Sequence, residues 1–266
     1  MPSGEFGPLA VVPFEIIYPG TWLELADRGT AFQAQAVLNT AESCLTDAGL
    51  ALGGFMASRR IAMPRGREAW EARTVRRQQI ELAVRRELNI SNHDFDRHDE
   101  IALAVDRRML RERYNAGQLP EGYARRRPFL YAKSFLYAID GFRDVLVQIT
   151  KLGISSTVES LISEIDYKLP SLPHVRDSTA HADERVQGMA RGKPIALKSV
   201  KNRMISVPGG ALIVDTLNGD NYGCTLADGS YGEVPVTHES FQLCVEVMQR
   251  LLQSLPWKGS PRVAPQ

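Results

Sequence analysis

The stretch HVRDSTAHADER, His174 to Arg185, brings an arginine, an aspartate and a histidine within six residues, just after Pro170 and Pro173. On a helix, Val175, Thr179, Ala182, Val186 and Met189 would line one face at the 3.6-residue period. Asp177, His181 and Glu184 would fall on the opposite face. Asp177 and His181 stand at i and i+4, where a carboxylate can orient an imidazole and raise its pKa. Arg176 sits at the flank, with a side chain long enough to swing either way. His181 is thus expected to face water, a second subunit or a substrate, not the core.

Phosphodiester transfer in RNA uses such a trio. A histidine can take the proton of a 2′-hydroxyl or give one to the leaving 5′-oxygen. An arginine can grip the phosphate and stabilise charge growing in the transition state. One histidine can hardly be acid and base in one step, so the chemistry predicts a homodimer with two copies of the motif face to face.

The elements that must position the trio are mostly helical. Residues 1–20 hold four of fifteen prolines and read as an extended arm. The Ala- and Leu-rich run that follows is expected to end or kink near Gly53-Gly54. Strong helix formers follow Pro64, and a further helix is expected to start within the acidic stretch SNHDFDRHDE, giving a partly basic N-terminal region over 21–127. FLYAKSFLYAIDGFRDVLVQITKLG is apolar over most of its circumference, with a thin polar stripe at Lys133, Asp140, Asp144 and Lys151. A helix of that kind must be buried. Tyr131, Phe135, Tyr137 and Phe142 read as packing residues within it. Ser156 and Glu159 have capping-box spacing, and Val158, Leu161, Ile162 and Ile165 follow helical rhythm. Asn218-Gly219 and Asp228-Gly229 signal hairpins in an antiparallel meander at about 195–236. Thr237 is an N-cap candidate for a final helix carrying Phe241, Cys244, Val245, Met248, Leu251, Leu252 and Leu255 on one stripe, and residues 258–266 read as a flexible tail. The fold class is mainly α, a helical bundle with a small β-meander inserted between the motif helix and the C-terminal helix.

RDSTAH at 176–181 resembles the R-x4–6-H motif of the HEPN superfamily, in which a polar residue follows the arginine. The order of a long buried helix, a shorter helix, the motif helix and a closing helix is similar too, over roughly residues 125–257. The resemblance implies a metal-independent ribonuclease without cofactor, serving as a toxin or in phage defence. Residue by residue, it implies Arg176 as phosphate ligand, Asp177 as polar organiser and His181 as catalytic histidine. The GS…DxD pattern of the nucleotidyltransferase antitoxins that often accompany such toxins is absent here, so any antitoxin or regulatory partner is expected to be a separate chain.

Three further readings stay open beside it. From Arg59 to Arg127 there are 17 Arg against 11 Asp or Glu. That excess reads either as a solvated helical face or as an RNA footprint, with Arg125, Arg126, Arg127 and Arg185 as candidate RNA ligands. His174, Asp177 and His181, or the group HDFDRHD from His93 to Asp99, have metal-ligand types. Pro173 argues that His174 precedes the helix, the second group reads as an acidic helix start, and no metal is assigned. The last reading is a non-catalytic scaffold that binds RNA, nucleotide or a protein partner. A net charge of +1 provides no overall field for nucleic acid or membrane. Cys44, Cys224 and Cys244 are scattered, without a CxxC pair, and fit a reducing compartment. With no signal-peptide start and no apolar run of membrane-spanning length, a cytoplasmic protein without a membrane partner is expected.

Overall fold

The apolar residues of the first long helix recur at alternating steps of four and three: Ala34, Leu38, Ala41, Leu45, Ala48, Leu52 and Phe55, all buried. Small and large side chains alternate along this seam, so a second helix can approach closely where alanine stands. A computed structural model describes residues 11–60, 67–91, 96–202 and 204–265. It begins with the short strands β1 (Ile16–Tyr18) and β2 (Trp22–Leu23) and then α1 (Arg28–Arg60). The helices α2 (Arg67–Glu87), α3 (His98–Asn115), α4 (Glu121–Leu152), α5 (Val158–Lys168), α6 (Leu172–Ala180) and α7 (Ala182–Val186) follow. Next come β3 (Met189–Ala190), β4 (Lys193–Pro194), β5 (Val200–Lys201), β6 (Ser206–Val207), β7 (Thr216–Asn218), β8 (Asn221–Thr225) and β9 (Tyr231–Pro235). The chain closes with α8 (His238–Ser254), β10 (Trp257–Lys258) and β11 (Arg262–Ala264). The fold is mainly α, with eight helices and several small antiparallel sheets among the described residues.

The chain divides into two compact units, one of residues 58–127 and one built from 8–57 and 128–266. In the first, α2 and α3 pack around Ile80, Val84, Ile90, Ile101 and Val105. Ion pairs cross between them: Arg76 donates to both carboxylate oxygens of Glu112 at 2.6 and 2.9 Å, Arg77 to Asp106 at 2.5 Å and Arg108 to Glu87 at 2.7 Å. Much of the arginine excess therefore faces carboxylates within its own unit, as in a solvated, ion-paired helical surface.

In the second unit α4 lies against α1. Gly54 is the close-approach point: a Cβ there would stand 2.5 Å from the Tyr131 ring. The glycine pair therefore makes room for α4 instead of ending α1, which runs on unbroken to Arg60. Phe135 and Phe142 are buried as expected, but Tyr137 is exposed. Toward its start, α4 continues back through Pro128 to Glu121, so the helix begins earlier than the apolar pattern indicated. In α5 the cap differs from expectation: Thr157 occupies the N-cap position without a side-chain bond to the helix backbone, and its hydroxyl and N–H meet Ser155 Oγ at 2.9 and 3.3 Å.

β7, β8 and β9 form the expected meander. Its first turn is shifted by one residue: Asn218 pairs with Asn221, leaving Gly219 and Asp220 as the loop, with Gly219 at φ +61°. That places glycine at the first central position, where positive φ is required. The meander packs under α6, so Val175 and Thr179 are buried.

Of the arm expected over residues 1–20, residues 1–10 lie outside the described residues and 16–18 form a strand. β1 pairs with β11 and β2 with β10, so residues 257–258 and 262–264 form strands, in contrast to the flexible tail expected over 258–266. Gln249 of α8 clamps β1 on its other side, accepting from the Ile17 N–H at 2.7 Å and donating to the Ile17 carbonyl at 3.0 Å. No helix among the described residues is long and apolar enough to cross a membrane. All three cysteines are free, and burial pushes the Cys224 thiol up to about 11 and that of Cys244 up to about 12.

Two outcomes follow from these elements. Thr237 caps α8, its Oγ1 accepting from the Ser240 N–H at 3.4 Å. Thr237→Ala should cost about 1 kcal/mol of stability in a urea titration. Asp228 is held below the usual carboxylate range by the hydrogen bond from Lys198, then by those from Ser230. A carboxyl lowered on folding adds stability above its ordinary pKa and loses it as pH falls toward the lowered value. Lys198→Met should therefore lower the melting temperature slightly at neutral pH and not at strongly acid pH. The effect is small because both partners are exposed.

Candidate active site

The buried face of α4 carries one acidic exception, Asp140, which is 3% exposed. Its Oδ2 accepts from Arg176 Nε at 2.5 Å, and Arg176 Nη2 lies 3.6 Å from Asp144 Oδ2, one turn further along α4. The bond to Asp140 is the main reason the Arg176 guanidinium is held above its ordinary pKa, against the cost of partial burial. The network extends to α5, where Arg143 donates to both oxygens of Asp166 at 2.6 and 2.9 Å. Asp140 and Asp144 are the residues that the opening motif did not point to. Their signal was visible as two carboxylates at i, i+4 on an otherwise apolar helix. Lys133 of the same stripe is also engaged, 3.3 Å from Asp215.

The motif does not form one continuous helix. α6 ends at Ala180, and α7 starts at Ala182, with His181 between them at φ −104°, ψ +39°. The expected apolar face thus holds only in part: Val175 and Thr179 are buried, while Val186 is exposed. His174 lies inside α6, not before it. The His181 side chain is 56% exposed, with Nε2 3.8 Å from Asp177 Oδ1. That separation is an electrostatic contact and too long for a hydrogen bond. The other oxygen of Asp177 lies 3.7 Å from Arg185 Nη2.

Arg185 departs most from expectation. It is 2% exposed, its Nη1 donating to the Met189 carbonyl at 2.9 Å and its Nε to Ser178 Oγ at 3.4 Å. It locks α7 to α6 and to β3 and offers nothing to an external RNA. Of the other arginines considered for RNA, Arg125 donates to Glu121 within α4, Arg126 is exposed and Arg127 half-exposed. All three belong to the 58–127 unit. The structure brings Asp177 to His181, and Arg176 to Asp140 and Asp144.

Electrostatically the face is not a cationic cradle. Asp140, Asp144, Asp166, Asp177 and Glu184 meet three guanidiniums, those of Arg143, Arg176 and Arg185, an excess of two negative charges with His181 neutral. No group of three metal-ligating side chains occurs among the described residues, and His93 and Asp94 of HDFDRHD lie outside them. A cleft of about 400 Å³ opens elsewhere, between Glu42, Ser43 and Asp47 of α1 and Arg262 of β11. No family model matches the chain, and comparison with curated proteins and with solved structures finds no match either.

Removing the buried carboxylate tests the frame of this site. Asp140→Asn should lower stability by about 1–3 kcal/mol, less than for a fully buried pair because Arg176 is a third exposed and can rehydrate. Chemical denaturation of wild type and variant reads this directly.

Proposed function

We propose that the Arg176–His181 face is a metal-independent ribonuclease centre completed by a second copy of the chain. The observation that carries this reading is the placement of His181, which stands exposed at the break between α6 and α7 beside the Asp177 carboxylate. Neither ring nitrogen is hydrogen-bonded to Asp177 at the 3.8 Å separation, so the imidazole is free to exchange a proton with substrate through either one. In a two-fold pair, one histidine removes the 2′-hydroxyl proton as the 2′-oxygen attacks phosphorus. The other protonates the 5′-oxygen as its bond to phosphorus breaks, leaving a 2′,3′-cyclic phosphate and a 5′-hydroxyl. Arg176, fixed through Nε by Asp140, has its Nη donors to turn toward a non-bridging oxygen. Tyr137, exposed on α4 within electrostatic reach of Arg176, offers a ring for base stacking. A role as toxin or defence effector in the cytoplasm, with a separate antitoxin chain, belongs to the same proposal and is supported by the HEPN resemblance.

One observation favours a second reading. Arg176 is already neutralised by Asp140 and Asp144, as a residue that joins two helices would be. In that reading the bundle is a non-catalytic scaffold and His181 contacts a binding partner.

RNA cleavage in EDTA separates the two, using wild type, His181→Ala and Arg176→Ala with circular dichroism as the folding check. The ribonuclease reading expects wild-type cleavage that falls by about a hundredfold or more in His181→Ala. It also expects a dimer by light scattering. A folded, monomeric wild type that cuts none of several RNAs leaves the scaffold.

A further inference from the structure

We infer that the two hairpins after the motif, β3–β4 and β5–β6, form the surface that holds the RNA backbone beside this site. The inference rests on the reading of the motif face as an RNA site and names where the phosphates bind. It starts from a deficit. A face with two excess negative charges repels a polyanion, so the attraction must come from elsewhere. The arginines of α2 and α3 are poor suppliers, because many are answered by carboxylates within their own unit.

Residues 185–214 contain Arg185, Arg191, Lys193, Lys198, Lys201 and Arg203 and no Asp or Glu. With 31 acidic residues in 266, a stretch of this length would ordinarily hold about three or four. Arg185 is buried, Lys198 donates to Asp228 at 2.6 Å, and Arg203 lies outside the described residues. Arg191, Lys193 and Lys201 are exposed, and among the described residues none of their charged side-chain groups lies within 4.0 Å of a carboxylate oxygen.

The hairpins are held in place relative to the motif. Ala190 pairs with Lys193, so Arg191 and Gly192 form the two-residue turn, at φ +51° and +73°. That conformation suits asparagine or glycine, and an arginine there puts a cation at the tip against backbone preference. The Arg191 N–H donates to Glu184 Oε2 at 2.8 Å. The same oxygen lies 3.5 Å from Arg185 Nη1, and Arg185 reaches the Asp177 that faces His181. The tip is thereby connected to the histidine through a short run of polar contacts. On the other side, the Lys198 N–H donates to the Gly229 carbonyl at 2.9 Å, and a Cβ on Gly229 would lie 1.8 Å from the Ala196 carbonyl oxygen. The segment carrying the cations is thus seated on the β8–β9 turn. Anionic lipid is the competing polyanion, since Leu197 and Met204 are exposed among the cations. Continuity with the motif face favours RNA.

The test uses the full chain with His181→Ala, so that binding is read without cleavage. Fluorescence anisotropy of a labelled single-stranded RNA is measured over a salt series. In that background Arg191→Glu/Lys193→Glu/Lys201→Glu should bind at least about tenfold more weakly, with a log K against log salt slope shallower by about 2. The same three positions changed to Gln should fall between. Arg86→Glu/Arg107→Glu/Arg111→Glu on α2 and α3 is the control and should retain affinity, and thermal melts confirm that every variant folds. No RNA binding by the starting protein at low salt overturns the inference. So does an equal loss in the control, and so does a hairpin-dependent affinity for phosphatidylserine vesicles without one for RNA. Hairpin-dependent binding in a protein whose wild type never cuts RNA removes the ribonuclease reading and leaves the surface standing. Cleavage by wild type with unchanged binding in the hairpin variant does the reverse.

Discussion

A carboxylate shut away from water must be answered by a cation or strong donors, and Asp140 imposes that condition on the middle of the larger unit. α4 is otherwise committed to the core, so the partner has to come from whichever element covers that turn. Arg176 is that partner, and its position fixes the rotation of α6. Once Arg176 points at α4, Val175 and Thr179 turn toward β8 and β9, and Asp177 turns outward to His181. The meander is therefore a required layer, since without it the second face of α6 would be bare. A hydrophobic pair at 140 and 176 would pack as well, but would not favour one rotation so strongly.

The charges of this protein are divided by location. Carboxylates gather around the motif, free cations gather on the two hairpins after it, and the arginine-rich helices of the smaller unit face many of their own acids. A net charge of +1 conceals this arrangement. Counting charges along the chain drew attention to residues 59–127, where basic and acidic residues alternate at helical spacing and pair. The more consequential feature was the absence of acids from 185 to 214.

Features governed by local periodicity were legible in the sequence. The stripes of α4, α5 and α8, the Thr237 cap and the meander all follow from short-range rules that the tertiary structure had no reason to override. Features set by distant neighbours were not. Gly53-Gly54 looks like a helix end until Tyr131 is seen against Gly54. Arg185 looks like a surface cation until Ser178 and the Met189 carbonyl are seen around it. Of the candidate site, the proximity of Asp177 to His181 was readable from i, i+4 spacing. The hold of Asp140 on Arg176 was not, because 36 residues separate them.

The pairing of β1 with β11 has a consequence for synthesis on the ribosome. Residues 16–18 emerge long before the strand that covers one edge of β1, at residues 262–264. The Gln249 clamp on its other side comes almost as late. While the residues between these two strands are being made, the nascent chain therefore displays an unpaired β-edge, open to any extended segment in its vicinity. Completion of the larger unit is a closing event, in which β10 and β11 cap strands made long before them. Slow elongation lengthens the exposure, and a chaperone that shields extended segments shortens it.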